Sequence, residues 1–212
     1  MTTAQSAVES IRQRLASLAA QTGAEGFTEF LSGYYRYTSS EDLRERTPEN
    51  LCGAAFTHWQ LAQRRTPGTP AIRVFNPTAE GAGWQSRHTV VQVVTDDMPF
   101  LVDSISMELA RHERGIHLVV QPVVCVRRSI TGDLLAVVPQ GAGTPDVAAE
   151  SFLHIEFDRI ADAEGQQALR DELARVLGDV RAAVEDWAKM QARMRSIVDE
   201  LAATAPPVED DV

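Results

Sequence analysis

Apolar side chains first recur at helical spacing. Val8, Ile11, Leu15 and Leu18 are separated by charged or small residues over positions 5–20, which predicts an amphipathic helix. Gly23 breaks it, and a second helix is expected over roughly 26–36, with Phe27, Phe30, Leu31, Tyr34 and Tyr35 crowded on one side. Thr47-Pro48 opens a third, because threonine suits an N-cap and proline at the first helical position forfeits no useful hydrogen bond. Its buried stripe is Leu51, Ala54, Ala55, His58, Leu61 and Ala62. Thr66-Pro67-Gly68-Thr69-Pro70 ends that helix, since proline and glycine here oppose both helix and central strand.

After this break the period changes to two. Ile72–Phe75 reads as a short strand stopped by Pro77, a Gly81-Ala82-Gly83-Trp84 loop follows, and the valine-rich run from Arg87 to Thr95 is the next strand. Phe100–Arg111 is a helix whose Leu101, Ile105 and Leu109 share a face, and Gly115 closes it as a left-handed C-terminal cap. From Leu118 to Arg128 the chain is extended, with Leu118, Val120, Val124 and Val126 on one face and His117, Val119, Gln121, Val123 and Cys125 on the other. Thr131-Gly132-Asp133 is a turn before Leu134–Val138, and Pro139–Pro145 is a loop. A last strand, Phe152–Phe157, is expected to turn Leu153, Ile155 and Phe157 inward and His154, Glu156 and Asp158 outward.

Ala163 to Ala203 is helix-forming throughout, with Leu169, Leu173, Val176, Leu177, Val180, Val184 and Trp187 recurring every three or four residues. Such a helix needs something to bury its stripe. The tail from Pro206 to Asp211 is acidic, broken by proline, and expected to be a disordered join to further sequence. The division is thus a helical segment (1–66), an α+β domain (71–162), a long helix (163–204) and an acidic linker (205–212). Trp59, Trp84 and Trp187 are expected to anchor a core or an interface.

Composition narrows the function. The 212 residues, 44% hydrophobic and 24% charged, suit one or two soluble globular domains. A formal charge of -10 argues against nucleic acid or anionic lipid as partners, which are engaged through clustered lysine and arginine. No apolar run reaches the roughly 20 residues of a membrane span and no export signal opens the chain, so a cytoplasmic location is expected. Cys52 and Cys125 are far apart and in unlike contexts, as befits reduced, partly buried thiols.

Catalytic arrangements are missing from the pattern. Gly81-Ala82-Gly83 and Gly141-Ala142-Gly143 lack the third glycine and following helix of a dinucleotide fingerprint. Lys189 is the sole lysine. His112-Glu113 and His117 imitate a zinc-protease motif, but three residues separate Glu113 from His117 and Gly115 ends the helix both histidines would share. Ser86-Arg87-His88 has no glycine elbow. Asp96, Asp97 and Asp103 stand near the start of a helix, where unpaired amides and the helix dipole favour carboxylates without any metal.

Asp97, Pro99, Leu101-Val102, Ile105, Leu109 and Gly115-Ile116 together resemble the signature of ACT domains, small βαββαβ modules in which a helix packs on a four-stranded antiparallel sheet. A longer set, Asn76-Pro77, Gly83-Trp84-Gln85-Ser86, His88–Val91, Val94–Ser104, Gly115–Val119 and Val180–Trp187, with Gly53-Ala54-Ala55, His58-Trp59 and Pro67-Gly68 before it, is similar to the N-terminal region of the large bacterial NAD-specific glutamate dehydrogenases. The resemblance implies an α+β, ACT-like (ferredoxin-like) antiparallel sheet with packed helices, preceded by a helical segment and followed by a long helix. It also implies a noncatalytic regulatory or assembly region of an enzyme that deaminates L-glutamate oxidatively to 2-oxoglutarate. NAD belongs to that parent, with no cofactor in this segment, and the expected partners are the parent's other domains and subunits and an amino-acid effector.

In such modules loop amides and a helix N-terminus present donors to a carboxylate. The candidate ligand residues are accordingly Asp96, Asp97, Met98, Phe100, Leu101, Gly115, Ile116 and His117, with His117 the histidine to test first. Phe100 stands where ligand-binding ACT domains have glycine; a large aromatic there is expected to pack into a core or interface, which makes a purely structural oligomerisation module the alternative.

Overall fold

Four helices open the chain: α1 (Thr3–Thr22), α2 (Phe27–Tyr34), α3 (Ser40–Arg44) and α4 (Pro48–Ala62). Thr47 caps α4 as expected, its hydroxyl accepting the Asn50 N–H at 3.3 Å ahead of Pro48. The short α3, capped by Ser39, has too few turns to show a stripe in the sequence. The computed structural model describes residues 3–139 and 146–203; the acidic tail and residues 140–145 of the expected loop lie outside them.

The strands β1 (Ala71–Phe75), β2 (Thr89–Asp96), β3 (Ile116–Val120), β4 (Val123–Arg128), β5 (Leu134–Val138) and β6 (Val147–Phe157) form one antiparallel sheet in the order β1-β2-β6-β4-β5, with β3 also paired to β6. A single turn, α5 (Ala79–Ala82), interrupts the loop between β1 and β2, while α6 (Leu101–Arg111) follows β2 and α7 (Ala163–Ala203) follows β6. The expected α+β architecture, helices on an antiparallel sheet with a long helix after it, is present.

One expected strand is two. β3 pairs with the C-terminal half of β6, Ile116 opposite Phe157, and β4 with its N-terminal half, Val123 opposite Ser151. The break falls at Gln121-Pro122, because proline has no N–H for the ladder. The Pro122 carbonyl still accepts the Phe152 N–H at 3.0 Å, so β6 runs unbroken past the gap.

The sheet is covered on both faces. Val91, Val93, Leu153, Ile155 and Phe157 meet Leu101, Ile105 and Leu109 of α6 and Leu169, Leu173 and Leu177 of α7. Val94, Phe152, Leu118 and Val120 meet Phe27, Phe30 and Tyr34 of α2 and Leu51, Ala55 and Trp59 of α4. His154 and Glu156, expected to face outward, are therefore buried. Alternation assigns residues to faces of a strand but does not say whether the second face is covered.

Burying that polar face demands partners. Gln92 donates to the Ala54 carbonyl at 2.9 Å. His58 lies 3.1 Å through Nε2 from the Val93 carbonyl and 2.7 Å through Nδ1 from the Tyr34 hydroxyl. A carbonyl only accepts, so Nε2 carries the hydrogen and Nδ1 accepts from Tyr34. Burial first, then His154 nearby, pushes His58 down to about 3.

At the far end of the same face, fully buried Glu150 accepts from Arg65 (Nε 3.1 Å, Nη2 2.7 Å) and from Arg128 (Nε and Nη2, both 2.7 Å). Arg65 also reaches Asp96 at 2.6 Å, and Asp96 in turn holds Arg181 of α7. A single cluster thus joins the segment after α4 to β2, β4, β6 and α7. The Gly132 carbonyl accepts from both Arg65 N–H and Arg128 Nη1. A side chain on Gly132, at φ +89°, would lie 2.1 Å from the Arg65 carbonyl oxygen, so only glycine fits there.

Two aromatics expected in a core or an interface lie outside the core. Trp59 and Trp84 are buried, but Trp187 is 60% exposed, because the body of the protein ends before the α7 stripe does. Phe100 is 63% exposed and sits at φ 70° as the residue preceding α6, so it is not a core residue. No described helix is long and apolar enough to cross a membrane.

A left-handed phenylalanine costs about 1–2 kcal/mol against its right-handed alternative. Glycine at an ordinary position costs about 0.5–1 kcal/mol relative to alanine. At position 100 the sign should invert: urea unfolding is expected to find Phe100→Gly more stable than Phe100→Ala by about 1 kcal/mol, and the reverse order would contradict the strain. For His58, a folded value of about 3 lies below the unfolded value of about 6.5. The unfolded chain therefore binds the extra proton, and stability, fully present above the unfolded value, is lost as pH falls toward the folded one. The urea midpoint should be flat above neutrality and drop below it, by at most about 1.4 kcal/mol per pH unit from this group; a midpoint that holds steady down to pH 5 would contradict this.

Candidate functional site

A recess of about 910 Å³ lies between the helical layer and the sheet at the end where β2 begins and β6 finishes. Arg46 and Thr47 before α4, and Asn50, Leu51 and Ala54 on it, form one wall. The segment Trp84–His88 forms the second, and His117 and Leu118 of β3 with His154 and Glu156 of β6 form the floor. Arg87 and Arg159 stand at its edge, where Arg159 donates to the Arg87 carbonyl at 3.4 Å.

Trp84 is seated by α4. Its Cβ would be 2.5 Å from a Cβ at position 53, so Gly53 lets the ring lie directly on the helix. The ring packs edge-on to Phe75, with centroids 6.1 Å apart, and is 6.0 Å from His154.

Glu156 accepts from Arg46 through Nε (3.4 Å) and Nη2 (3.3 Å) and from Ser86 Oγ (3.2 Å). Burial alone would raise its carboxyl, but His154 and then Arg46 outweigh that and hold it at about 2. It is a fixed anion whose charge Arg46 already balances. His88 lies against His117, ring centroids 3.9 Å apart, and is pushed down by burial and then by His117. His117 in turn bonds Asp158 at 2.8 Å, and Asp158 also accepts the Gly115 N–H at 2.7 Å. Those contacts keep the Asp158 carboxyl low, the His117 bond foremost.

Two buried ring nitrogens in this recess lack a hydrogen-bond partner. The Gln92 amide nitrogen, fixed by the Ala54 carbonyl, lies 3.2 Å from both Thr57 Oγ1 and His154 Nδ1, and since it cannot accept, His154 Nδ1 bears no hydrogen. His154 then carries its hydrogen on Nε2. That Nε2 has no hydrogen-bond partner, and its nearest carboxylate oxygen, on Glu156, is 3.6 Å away. Trp84 Nε1, always a donor, is also unpartnered. A buried N–H left without an acceptor costs about 1–3 kcal/mol, and the two lie on neighbouring rings.

The eight residues picked from the sequence fall into two groups at opposite ends of the sheet. β2 spans eight residues, about 23 Å at 3.3 Å per residue, with Asp96–Leu101 beyond its end and Gly115–His117 near its start. Asp96 is engaged by Arg65 and Arg181, which hold its carboxyl low against burial. Asp97 accepts from Ser151 Oγ at 2.6 Å, Met98 packs against the α6–α7 core, and Leu101 is buried in it. Neither Asp96 nor Asp97 caps α6, which has no side-chain cap. Ile116 is partly exposed on β3. Of the eight, His117 alone lines the recess.

Sequence reasoning passed over Arg46, Ser86, His88, His154 and Glu156 as site residues. A histidine within the apolar stripe of α4 was the available signal, since His58 needs polar partners on whatever face it meets.

Comparison with known proteins places these features. Residues 30–173 match the family model described as the glutamate dehydrogenase ACT1 domain. The chain is 39% identical over 171 residues to the NAD-specific glutamate dehydrogenase of Pseudomonas aeruginosa, covering 81% of this chain and 11% of that protein. It is 35% identical over 204 residues to the one from Halomonas elongata, covering 96% and 13%. A third, from Mycobacterium tuberculosis, is 27% identical over 148 residues, covering 70% and 9%. The chain thus spans only about an eighth or less of the length of these relatives, and by its family match it belongs to the glutamate dehydrogenase ACT1 domain family.

Proposed function

We propose that this chain is a noncatalytic regulatory segment of an NAD-dependent glutamate dehydrogenase, whose parent reaction converts L-glutamate, NAD and water to 2-oxoglutarate, ammonium and NADH, and that its recess takes a carboxylate-bearing metabolite, an amino acid foremost. The observation that carries this is the pair of buried, unpartnered donors, Trp84 Nε1 and His154 Nε2. An acceptor group on a ligand satisfies both, and Arg87 and Arg159 at the edge favour an anion. Leu51, Ala54 and Leu118 supply apolar wall for a side chain.

Among the described residues, the one strand–helix–strand crossover of the sheet does not suit the parent's cofactor. The β2–α6–β3 crossover enters its helix through Met98-Pro99-Phe100 with no glycine, and a pyrophosphate needs close backbone approach at that point. This supports placing the chemistry on glutamate in the remainder of the parent.

A purely structural role is the second reading, favoured by the exposed apolar side chains on the outer half of α7. Thermal unfolding against each amino acid, 2-oxoglutarate and nucleotides separates the two. A ligand at one hundred times its dissociation constant stabilises the native state by about 2.7 kcal/mol. Glutamate or a related carboxylate is expected to raise the unfolding temperature of this chain. Trp84→Phe, which keeps an aromatic ring of smaller size and removes the donor, should lose most of that shift, read against the variant's own unliganded unfolding temperature because the smaller ring costs packing. A full set of carboxylates without effect at millimolar levels would sink the sensing reading, and glutamate-dependent NAD reduction by this chain alone would overturn the noncatalytic one.

A further inference from the structure

The outer half of α7 carries an apolar seam that the body of the protein does not cover. The last contact back to the body that fixes its direction is Arg181 on Asp96. Beyond it Trp187, Met190, Met194, Ile197 and Leu201 are all exposed. Their spacings of three, four, three and four residues repeat the a and d positions of a heptad, the seam along which one helix packs against another. A helix facing only water has no use for such a stripe.

The charges beside the seam choose the partner and its direction. With Trp187, Met194 and Leu201 at a and Met190 and Ile197 at d, the flanking g positions are Asp186, Arg193 and Glu200, and the e positions are Gln191 and Val198. In a parallel pair each g residue meets an e residue of the other helix, Asp186 on Gln191 and Arg193 on Val198, and no ion pair forms. In an antiparallel pair g meets g. The register that sets Met194 against Ile197, and Met190 against Leu201, brings Arg193 of each helix to Glu200 of the other, twice. Sliding by one heptad toward the body opposes Arg193 to Arg193 and Asp186 to Glu200, which repel.

Space agrees with charge. In the favourable register Ala203 of one helix lies opposite Ala188 of the other, seven residues short of Arg181, or about 10 Å at 1.5 Å per residue. The slid register carries the described tip onto Arg181 and the partner's body. We infer that the outer half of α7 pairs antiparallel with the same segment of a second copy of this chain, in the register that joins Arg193 to Glu200 across the interface. Within one chain Arg193 already touches Glu200 at 3.3 Å, so both side chains point along one flank of the seam and need only turn outward.

Light scattering and sedimentation of the whole chain test this through charge reversal. The chain is expected to run as a dimer that dissociates on dilution. Arg193→Glu puts Glu against Glu at both crossings, and Glu200→Arg puts Arg against Arg, so each variant alone should be monomeric at concentrations where the parent chain is dimeric. Mixed in equal amounts they should recover the dimer, because every crossing is then Glu against Arg. Circular dichroism should find both variants as helical as the parent, since both positions are exposed. A chain that stays monomeric up to millimolar concentration, single variants that dimerise as the parent does, or a mixture that stays monomeric would each overturn the proposal. Recovery on mixing excludes the intrachain pair as its cause, because neither chain of the mixture contains an attractive 193–200 pair of its own.

Discussion

Glu150 is the constraint on which the arrangement of layers rests. A carboxylate without solvent exposure, four hydrogen bonds from two guanidiniums, and a carboxylate shared onward to α7 leave little freedom in how the helical layer, the sheet and the long helix meet. The desolvation of such a cluster offsets much of its attraction, so its net contribution to stability is small. Removing one partner, however, strands a buried charge at a cost of about 3–5 kcal/mol. Its role is therefore best described as fixing register. Arg65 must arrive directly after α4, and the tight approach of Gly132 to the Arg65 carbonyl holds the β4–β5 turn against it.

The same face of the sheet is polar at one end by ion pairing and at the other by a recess. Between them the Gln92 amide nitrogen bonds the Ala54 carbonyl, His58 bonds the Tyr34 hydroxyl and the Val93 carbonyl, and Phe152 packs in the same core. At the recess Trp84 Nε1 and His154 Nε2 lack hydrogen-bond partners. The recess opens between the two layers, and its polar lining comes from several separate stretches of chain.

Much of this was legible in the sequence, and the limits have physical causes. The capped start of α4, the stripe of α6 and the full span of α7 followed from local rules of capping and periodicity, which need no tertiary knowledge. The split of β3 from β4 was missed, although its cause, Pro122, is as local as any cap. What could not be read was which strand faces would be covered. His154 and Glu156 alternate with Leu153, Ile155 and Phe157 as exposed residues do, and only the helical layer above them makes them interior. The ligand candidates drawn from the ACT resemblance were neighbours along the chain, yet β2 and α6 carry them to two ends of the sheet. Phe100 went astray for another reason: its backbone keeps the left-handed form natural to glycine, and that geometry turns the ring to solvent.

The anchoring of α7 gives the molecule a lever. Its inner half is clamped by Leu169, Leu173 and Leu177 and pinned by Arg181 to Asp96, one residue before the turn into α6. From that pin to Ala203 the helix runs 22 residues, about 33 Å at 1.5 Å per residue. A tilt of about 10° at the pin carries the tip through about 6 Å over that length, more than the width of one helical turn. Over such a length, the angle set at the end of β2 decides where the far end of the helix lies.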